Sequence, residues 1–340
     1  MQSPQDVPGV EAVQRLQPEE TGLRVNSPLH PLTPEELAGQ LARANKARTP
    51  VGTIDLSRLN RLVEHVPEDM TVTVEAGITL AALQETLAHH GQWVPVDPPF
   101  AETLTVGRLL ELNASGPRRH GHGTVRDSVI GLRAVLPDGR QIHSGGRVVK
   151  NVAGFDLVKL FIGAGGSLGV ITEVSFKVVP RPESERILIQ ECGSTSEAEA
   201  CVERVLESPL TPVILDAHRP EARGPIRVVV GFAGLREAVE WEGAEALRLG
   251  FATPGDTGYD EAFFRRHPAG PPWRRSLLPS QLFATIAGLG PCPFLARVGA
   301  GLLHLAHEAG RASPPRTAHP LEHRIKELFD PCSILPPLPA

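Results

Sequence analysis

Apolar residues recur along this chain with a helical period in some stretches and with a period of two in others. A capping box with proline at the first helical position follows Thr33, and the apolar stripe behind it predicts a helix to about Lys46. The same reasoning predicts further helices at Thr79–His90, Ser196–Glu207, Glu237–Leu249 and Pro320–Glu327.

Alternation of polar and apolar residues predicts the strands. Pro137-Asp138-Gly139 is a turn sequence between two such runs and predicts a hairpin. Residues 266–293 carry prolines and tryptophan without a clear period, so we expect them to be irregular. The mixture predicts an α+β fold. The predicted strands are Thr71–Val74, Ile130–Leu136, Gln141–His143, Val170–Val179, Ile226–Gly231 and Arg297–Leu305.

Composition narrows the class of protein. A length of 340 residues suggests two domains, or one large domain with an insert, and 41% hydrophobic residues are enough for a substantial core. A net charge of −5 without a basic patch argues against nucleic acid as a partner. The first twenty residues have no apolar core, which argues against a signal peptide, and no run of eighteen apolar residues predicts a membrane span.

The four cysteines lack the C-x-x-C spacing of metal and redox motifs. We therefore expect reduced cysteines that pack in the interior of a cytosolic protein, without a disulfide framework or an iron–sulfur site. They are Cys192, Cys201, Cys292 and Cys332.

Seven glycines lie among apolar residues between Ser144 and Val170. Glycine is favoured where the backbone needs positive φ or approaches another body closely. Two interpretations remain open on the residues alone: a set of tight turns between buried strands, or a cradle for a cofactor. The predicted strand that follows, ended by Pro180-Arg181-Pro182, favours the cradle.

Several segments in the same order resemble the vanillyl-alcohol-oxidase-type flavoproteins. Within them the chain is most similar to the FAD-binding subunit that accompanies the catalytic subunit in bacterial glycolate oxidases. The resemblance covers roughly 31–182 well, 183–320 faintly and 321–335 again. The segments that carry it are VEAGITLAALQETL at 74–87, GQWVPVDPPF at 91–100, NASGPRRHGHGTVRDSVIGLRAVLPDG at 113–139, KNVAGFDLVKLFIGAGGSLGVITEVSFKVVPRP at 150–182 and Phe329-Asp330-Pro331.

The resemblance implies a PCMH-type FAD-binding fold of two subdomains with a smaller α+β cap domain. It implies an FAD-binding domain at 31–182, a cap at 183–320 and a C-terminal return to the FAD domain at 321–340. Residues 1–30 are polar and carry several prolines, so we expect a loosely ordered segment there. FAD is the cofactor that it implies. The residues carried over for FAD binding are Pro98, Thr105, Val106, Gly107, Asn113, Ser115, Gly116, Gly169, Val170 and Ile171.

Four departures from the family pattern weaken that expectation. Only residues 47–53, with one glycine, stand where the family has a strand and a glycine-rich phosphate loop, so that loop looks deleted. Arg108 replaces a second glycine and Phe155 replaces a frequent tyrosine. The chain also ends without the usual asparagine- and arginine-containing finish. We therefore expect this chain to bind FAD weakly or not at all when it is alone.

Two histidine clusters leave alternatives open. His120 and His122 lie beside two arginines, a cluster that either attracts an anion or is a solvated loop. His304 and His307 are three residues apart, but a strand reading of the segment makes them an ordinary strand end, and we expect no metal site.

The resemblance predicts a subunit of a complex that oxidises glycolate, a small 2-hydroxy acid, to glyoxylate. Its implied partners are the catalytic flavin subunit and the iron–sulfur subunit of that complex, which would bring the chain to the inner membrane peripherally. The alternatives are a flavin-free structural partner of the catalytic subunit and, more distantly, a stand-alone FAD-dependent alcohol oxidase. No catalytic residue is assigned from the sequence.

Overall fold

The computed structural model describes residues 28–146, 156–267, 273–306 and 319–339. Within them the protein is α+β, as predicted, and is built on two large antiparallel sheets. Residues 147–155, which include Gly154 of the glycine-rich stretch and Phe155, lie outside the described residues, and so does His307.

The first sheet has five strands in the order β1-β2-β6-β4-β5, and every neighbouring pair is antiparallel. A separate two-stranded ribbon joins β3 to β7. The predicted hairpin is confirmed as β4–β5. The strands of this half are β1 (Leu62–Val66), β2 (Thr71–Glu75), β3 (Gln92–Trp93), β4 (Val129–Val135), β5 (Gln141–Gly145), β6 (Val170–Lys177) and β7 (Val179–Pro180).

The helices of this half pack against the first sheet or connect its strands. The predicted cap at Thr33 is confirmed, because the Thr33 Oγ1 accepts a hydrogen bond from the Glu36 amide. The reciprocal bond of a capping box is not formed, since Glu36 Oε2 accepts from the amide of Leu32, one residue before the cap. The helices are α1 (Pro34–Ala47), α2 (Leu80–Ala88), α3 (Val106–Leu112), α4 (Arg119–His122), α5 (Val125–Ser128) and α6 (Val158–Phe161).

Between α1 and β1 the chain forms one parallel bridge, Leu29 to Ile54, and no strand of its own. The Val51 amide instead donates to the carbonyl of Ile334, at 2.7 Å. The connection is therefore short and is tied to the C-terminal segment. Deletion of the strand and phosphate loop that the family pattern places here stays a prediction.

The second sheet has seven strands in the order β11-β8-β10-β9-β13-β14-β12. All its described pairs are antiparallel. The strands are β8 (Ser184–Cys192), β9 (Ile214–Arg219), β10 (Ile226–Gly234), β11 (Thr253–Pro254), β12 (Trp273–Ser276), β13 (Phe294–Arg297) and β14 (Leu302–Leu305).

Five α-helices belong to the described part of the second half and the return that follows it. Two predictions for this region were wrong. Residues 297–305 are not one strand, because Gly301, at φ 62°, lies between β13 and β14, which form a hairpin with a 3₁₀ turn at Val298–Ala300. Residues 266–293 are not wholly irregular, since they contain β12 and a helix. The helices are α7 (Thr195–Leu206), α8 (Arg236–Arg248), α9 (Gly258–Arg266), α10 (Leu282–Gly288) and, after them, α11 (Pro320–Phe329).

The two sheets have separate hydrophobic cores. One unites buried residues between Val72 and Val178, and the other unites buried residues between Leu188 and Leu305. A third, small cluster joins Leu37 and Leu41 of α1 to Ile334 and Leu335. These cores support the predicted boundary between the FAD-binding domain and the cap at about residue 182, and the predicted return of the C-terminal segment to the FAD-binding domain. Both boundaries stay proposals.

Candidate functional site

The second sheet has one apolar face and one polar face. Residues in register on neighbouring strands share a face, and side chains alternate along each strand. Leu215, Ala217, Ala296 and Leu303 lie in the core with the helices of this half. The opposite face carries polar residues of β9, β13, β14 and the edge strand β12, which are Asp216, His218, Arg297, His304 and Arg274.

The short helix α4 of the first half packs close to this second sheet. The Gly121 amide donates to the carbonyl of Val213 at 3.0 Å, and a β-carbon on residue 121 would lie 2.7 Å from the Val213 Cα. A β-carbon on Gly299 would lie 2.0 Å from His120 Nδ1. Glycine is therefore required at residue 121, and a side chain at residue 299 would displace the His120 ring. This contact brings α4 against the strands that bear the polar residues.

Arg297 is the centre of a buried ion cluster. Its guanidinium donates to Asp216 Oδ2 through Nη1 and to Asp260 Oδ1 through Nη2, and all three residues are at most 2% exposed. The Tyr259 hydroxyl donates to Asp216 Oδ2 at 2.7 Å, and its ring stacks on His218 at 4.6 Å. The pairing compensates charges that would otherwise be too costly to bury.

Burial sets the pKa values in this cluster. It raises the pKa of Asp260 to about 7, against the attraction of Arg297, and it raises the pKa of Asp216 as well. Burial alone would lower the pKa of Arg297, but the charges of Asp216 and Asp260 outweigh it and raise that pKa. Arg297 is therefore charged at any physiological pH.

A second ion cluster joins the two halves of the chain. Arg118 donates to Asp97 Oδ2 at 2.8 Å and to both carboxylate oxygens of Glu185 at 2.8 Å. Burial raises the pKa of Asp97 to about 6, in opposition to the charges of Arg118 and Arg297. The solvated-loop alternative is therefore wrong for Arg118, whose charge is used in pairing.

A third group, the positive cluster, consists of Arg119 of α4 together with Arg274 and His304 of the polar face. Its two arginines form no ion pair within the described ranges. Burial and then the charges of Arg274 and Arg297 lower the pKa of Arg119. Burial and the charges of Arg297, Arg274 and Arg119, in that order, lower the pKa of His304 to about 3, so this imidazole is neutral at pH 7. The Nδ1 of His304 is buried and has no hydrogen-bond partner among the described residues. Such a cluster favours a ligand with a carboxylate or a phosphate.

The predicted cofactor residues fall into three places. Pro98 lines a cavity between the two halves. Val170 and Ile171 are buried at the start of β6, next to Val135 and Ala134. The other predicted residues gather at the two ends of α3 and in the turn before β6. They are Thr105, Val106, Gly107, Asn113, Ser115, Gly116 and Gly169.

The start of α3 has few free donors for a phosphate. The Val106 amide donates to Ile78, the Gly107 amide to Ala76, and the Arg108 amide to the Thr105 side chain. Arg108 itself donates to Glu111 Oε2 at 3.0 Å. These three amides are therefore already used within this protein.

The end of α3, by contrast, has polar groups without hydrogen-bond partners among the described residues. Asn113 adopts the left-handed conformation, at φ 46°, and its buried Oδ1 has no partner in the described part of the chain. No described backbone carbonyl accepts the amide protons of Ser115 and Gly116. The Ser115 Oγ accepts a hydrogen bond from Arg119 Nη1 at 3.0 Å, which places it beside the positive cluster.

Packing explains the three glycines among the predicted cofactor residues, which are Gly107, Gly116 and Gly169. A β-carbon would lie 3.1 Å from the Ala76 carbonyl at residue 107, 1.8 Å from the Asp97 carbonyl at residue 116, and 3.0 Å from the Phe161 ring at residue 169. Protein atoms, rather than open space for a cofactor, occupy these positions. The polar groups without partners at Asn113–Gly116 are thus the part of the predicted cofactor site that an anion can still use, and the loss of a second cradle near residues 47–53 stays a prediction.

The fold and this site define a two-part α+β architecture with an FAD-binding half. Residues 36–145 match the family model described as FAD binding domain, so this part of the chain is an FAD-binding domain of the PCMH type, and the match supports FAD as its cofactor. The predicted fold class is thereby confirmed, and the predicted family is confirmed for residues 36–145. Alkyldihydroxyacetonephosphate synthase shares the fold, with a TM-score of 0.66 at 18% identity over 90% of this chain and 75% of that chain.

Curated relatives agree with this class. The chain is 36% identical to glycolate oxidase subunit GlcE of Escherichia coli over 170 residues, which are 49% of each protein. It is 34% identical to subunit GlcD of Bacillus subtilis over 158 residues, 46% of this chain and 34% of GlcD. It is 38% identical to a D-lactate dehydrogenase of Archaeoglobus fulgidus over 141 residues, 42% of this chain and 31% of the relative. The chain thus matches half or less of these relatives' lengths.

Sequence reasoning found Arg118, Arg119 and His120 but missed Asp216, Arg274 and Arg297. Among the described residues, no helix has the length and apolar character needed to span a membrane. The same residues contain no group of three side chains that would hold a metal ion.

Proposed function

We propose that this chain is a subunit of a complex that oxidises glycolate to glyoxylate. The observation that carries the proposal is the 170-residue similarity to glycolate oxidase subunit GlcE. The similarity to GlcD and to a D-lactate dehydrogenase supports the broader class, FAD-dependent oxidation of 2-hydroxy acids.

The polar face of the second sheet supplies the chemistry that such a substrate needs. The carboxylate of a 2-hydroxy acid pairs with Arg119 and Arg274, which have no carboxylate partner at ion-pair distance in the described part of the chain. His304 is neutral, so its Nδ1 accepts a hydrogen bond from the substrate hydroxyl. FAD, when bound, supplies the hydride acceptor. The protein's part is to bind and orient the 2-hydroxy acid.

One observation favours the second candidate, a flavin-free partner of the catalytic subunit. FAD carries about two negative charges on its pyrophosphate, and this fold normally holds them with amides from two loops. Here one loop is predicted to be absent, and the amides of Val106, Gly107 and Arg108 are occupied. The loss of two or three charge-assisted hydrogen bonds, each worth ~1.5–3 kcal/mol, lowers affinity by several powers of ten.

We further propose the partners that the resemblance implies, the catalytic flavin subunit and the iron–sulfur subunit of a glycolate oxidase complex. Helix α11 supports a partner surface, because Leu321 and Leu328 are seven residues apart on one face and are 54% and 80% exposed. Purification from native cells should retain both companions. A stable monomer that oxidises glycolate without companions would contradict this proposal.

A flavin measurement separates the two candidates. The purified chain is scanned for flavin absorbance at roughly 450 nm and is then titrated with FAD. We expect little flavin after dialysis and weak binding in the titration. A stoichiometric yellow protein that keeps its flavin through dialysis would favour the flavin-bearing subunit and would place the missing cradle elsewhere.

Substrate binding is tested in the assembled complex with Arg274→Ala. If this chain binds glycolate, the loss of a charged partner should lower kcat/KM by about 10- to 100-fold, mostly through KM. Arg140→Ala is the matched control, because Arg140 lies in the β4–β5 turn and pairs with Asp138 on the surface. Unchanged kinetics in Arg274→Ala, in a complex that still requires the chain for assembly, would favour the structural partner.

A further inference from the structure

Helix α9 lies across the polar face of the second sheet. The Tyr259 ring stacks on an imidazole of β9 at 4.6 Å, and Asp260 accepts a hydrogen bond from Arg297 of β13. One turn further along, the Phe264 ring lies edge-on to His304 of β14, with centroids 5.3 Å apart and planes at 79°. The helix thus covers three neighbouring strands. Phe264 is its contact with a member of the positive cluster.

A second aromatic contact holds the Phe264 ring. Phe263 is 6% exposed and packs against it, with centroids 5.5 Å apart and planes at 88°. Phe264 itself is half-buried. Aromatic rings at these separations are in edge-to-face contact, so no carbon atom fits between Phe264 and the His304 imidazole. Phe264 is therefore an apolar wall beside the positive cluster.

The positive cluster places a substrate next to this wall. Arg274 and His304 are cross-strand neighbours in the pairing of β12 with β14, so their β-carbons are about 4.5–5.5 Å apart. In the proposed function, the carboxylate pairs with the arginines and the hydroxyl faces the His304 imidazole. The carbon that bears the hydroxyl, C2, then lies within about 4 Å of that imidazole, because a hydrogen bond spans only about 2.7–3.2 Å.

We propose that Phe264 is a specificity-determining residue, which restricts the site to 2-hydroxy acids without a carbon substituent on C2. Glycolate has only hydrogen there and fits beside the ring. The ethyl group of 2-hydroxybutyrate would have to occupy the volume of the ring. Misfit of a single methylene changes kcat/KM by about 10- to 200-fold. The inference rests on the proposed function and adds to it the side chain that selects the substrate by size.

The test compares glycolate with racemic 2-hydroxybutyrate in the assembled complex, and its readout is the ratio of their kcat/KM values. The wild type should prefer glycolate by about 100-fold or more. Phe264→Ala removes the ring and should lower this preference by at least about tenfold. Phe264→Leu keeps an apolar side chain at the position, so it answers the question if Phe264→Ala does not fold. It should lower the preference by about threefold.

The matched control is Trp241→Ala, which removes an aromatic ring on the other side of the second sheet. Trp241 is 48% exposed on α8, and this helix packs its Val239 and Ala246 into the core on the apolar face. The control should keep the wild-type ratio.

The inference is overturned if both Phe264 variants keep the wild-type ratio, or if they slow both substrates equally, as a purely structural change would. Arg274→Ala separates this failure from a failure of the proposed function. Normal glycolate kinetics in Arg274→Ala would overturn both, because the chain would then not bind the substrate. Impaired glycolate kinetics in Arg274→Ala, with an unchanged ratio in the Phe264 variants, would overturn only the role of Phe264.

Discussion

Gly116 and Asp97 touch through their backbones, since a β-carbon on residue 116 would lie 1.8 Å from the Asp97 carbonyl oxygen. We expect Gly116→Ala to lower the free energy of unfolding by at least about 2 kcal/mol, because backbone atoms cannot yield as a side chain would. Urea denaturation of the purified variant measures this change.

Gly288→Ala is the control for that substitution. Gly288 ends α10, and a β-carbon there would meet no heavy atom within 4 Å. Its free energy of unfolding should be unchanged or higher by up to about 1 kcal/mol. Equal effects at both positions would show that the contact between Gly116 and Asp97 is not tight.

Arg297→Met should cost about 3–5 kcal/mol of unfolding free energy, because it leaves Asp216 and Asp260 buried side by side without the cation that compensates them. The loss should be smaller at about pH 5 than at about pH 8, because protonation neutralises the stranded carboxylates. Arg140→Ala, which removes an exposed pair, should cost at most about 1 kcal/mol. A loss for Arg297→Met that does not vary with pH would contradict this account.

Asp97 should make the folded protein less stable as the pH rises from about 4 to about 7. Burial raises its pKa from 3.8 to about 6, so between these values the folded state binds the proton more tightly than the unfolded state. The stabilisation is present below about pH 4 and is lost as the pH rises through about 6, and it amounts to at most about 3 kcal/mol.

The measurement compares the wild type with Asp97→Asn from about pH 4 to about pH 8. His218 and His304 have lowered pKa values and favour the folded state increasingly as the pH rises, so only the difference between the two proteins isolates Asp97. Relative to Asp97→Asn, the wild type should lose stability across this range. Parallel stability profiles would mean that Asp97 titrates normally.

Arg108→Ala should leave the FAD dissociation constant within about twofold of the wild type. The Arg108 guanidinium is held by Glu111 and is not available to a phosphate. Glu111→Gln is the informative companion: it frees Arg108 and removes a carboxylate, so FAD should bind more tightly. Fluorescence titration with FAD measures both variants, and a roughly tenfold loss in Arg108→Ala would show that this arginine pairs with the cofactor.

The elements that local chemistry determines were predicted closely from the sequence. The Thr33 cap depends on hydrogen bonds between residues close in the chain, and α1 starts where predicted. The helix predicted from Ser196 begins at Thr195, with Ser194 as its cap. The prediction of a single strand at Arg297–Leu305 was wrong. One strand and a tight hairpin show the same alternation of residues, and the sequence does not reveal that Gly301 adopts positive φ.

The candidate site was harder to predict, because its parts meet only through the register of the second sheet. Asp216 and Arg297 are 81 residues apart, and Asp260 and Arg297 are 37 apart. A signal was present in Ile214–Arg219, where Asp216 and His218 alternate with apolar residues and indicate a polar face. Which partners that face would meet depends on the strand order, which periodicity does not determine.

The small cluster between α1 and the C-terminal return has a consequence for biosynthesis. Asp330 accepts hydrogen bonds from the Ile334 and Leu335 amides and so holds both residues against Leu37 and Leu41. Because these partners lie at opposite ends of the described chain, α1 leaves the ribosome long before Ile334 and Leu335 are synthesised. At ~5–20 residues per second, the apolar stripe of α1 stays without these partners for roughly 15–60 s, and during that time a chaperone can bind it.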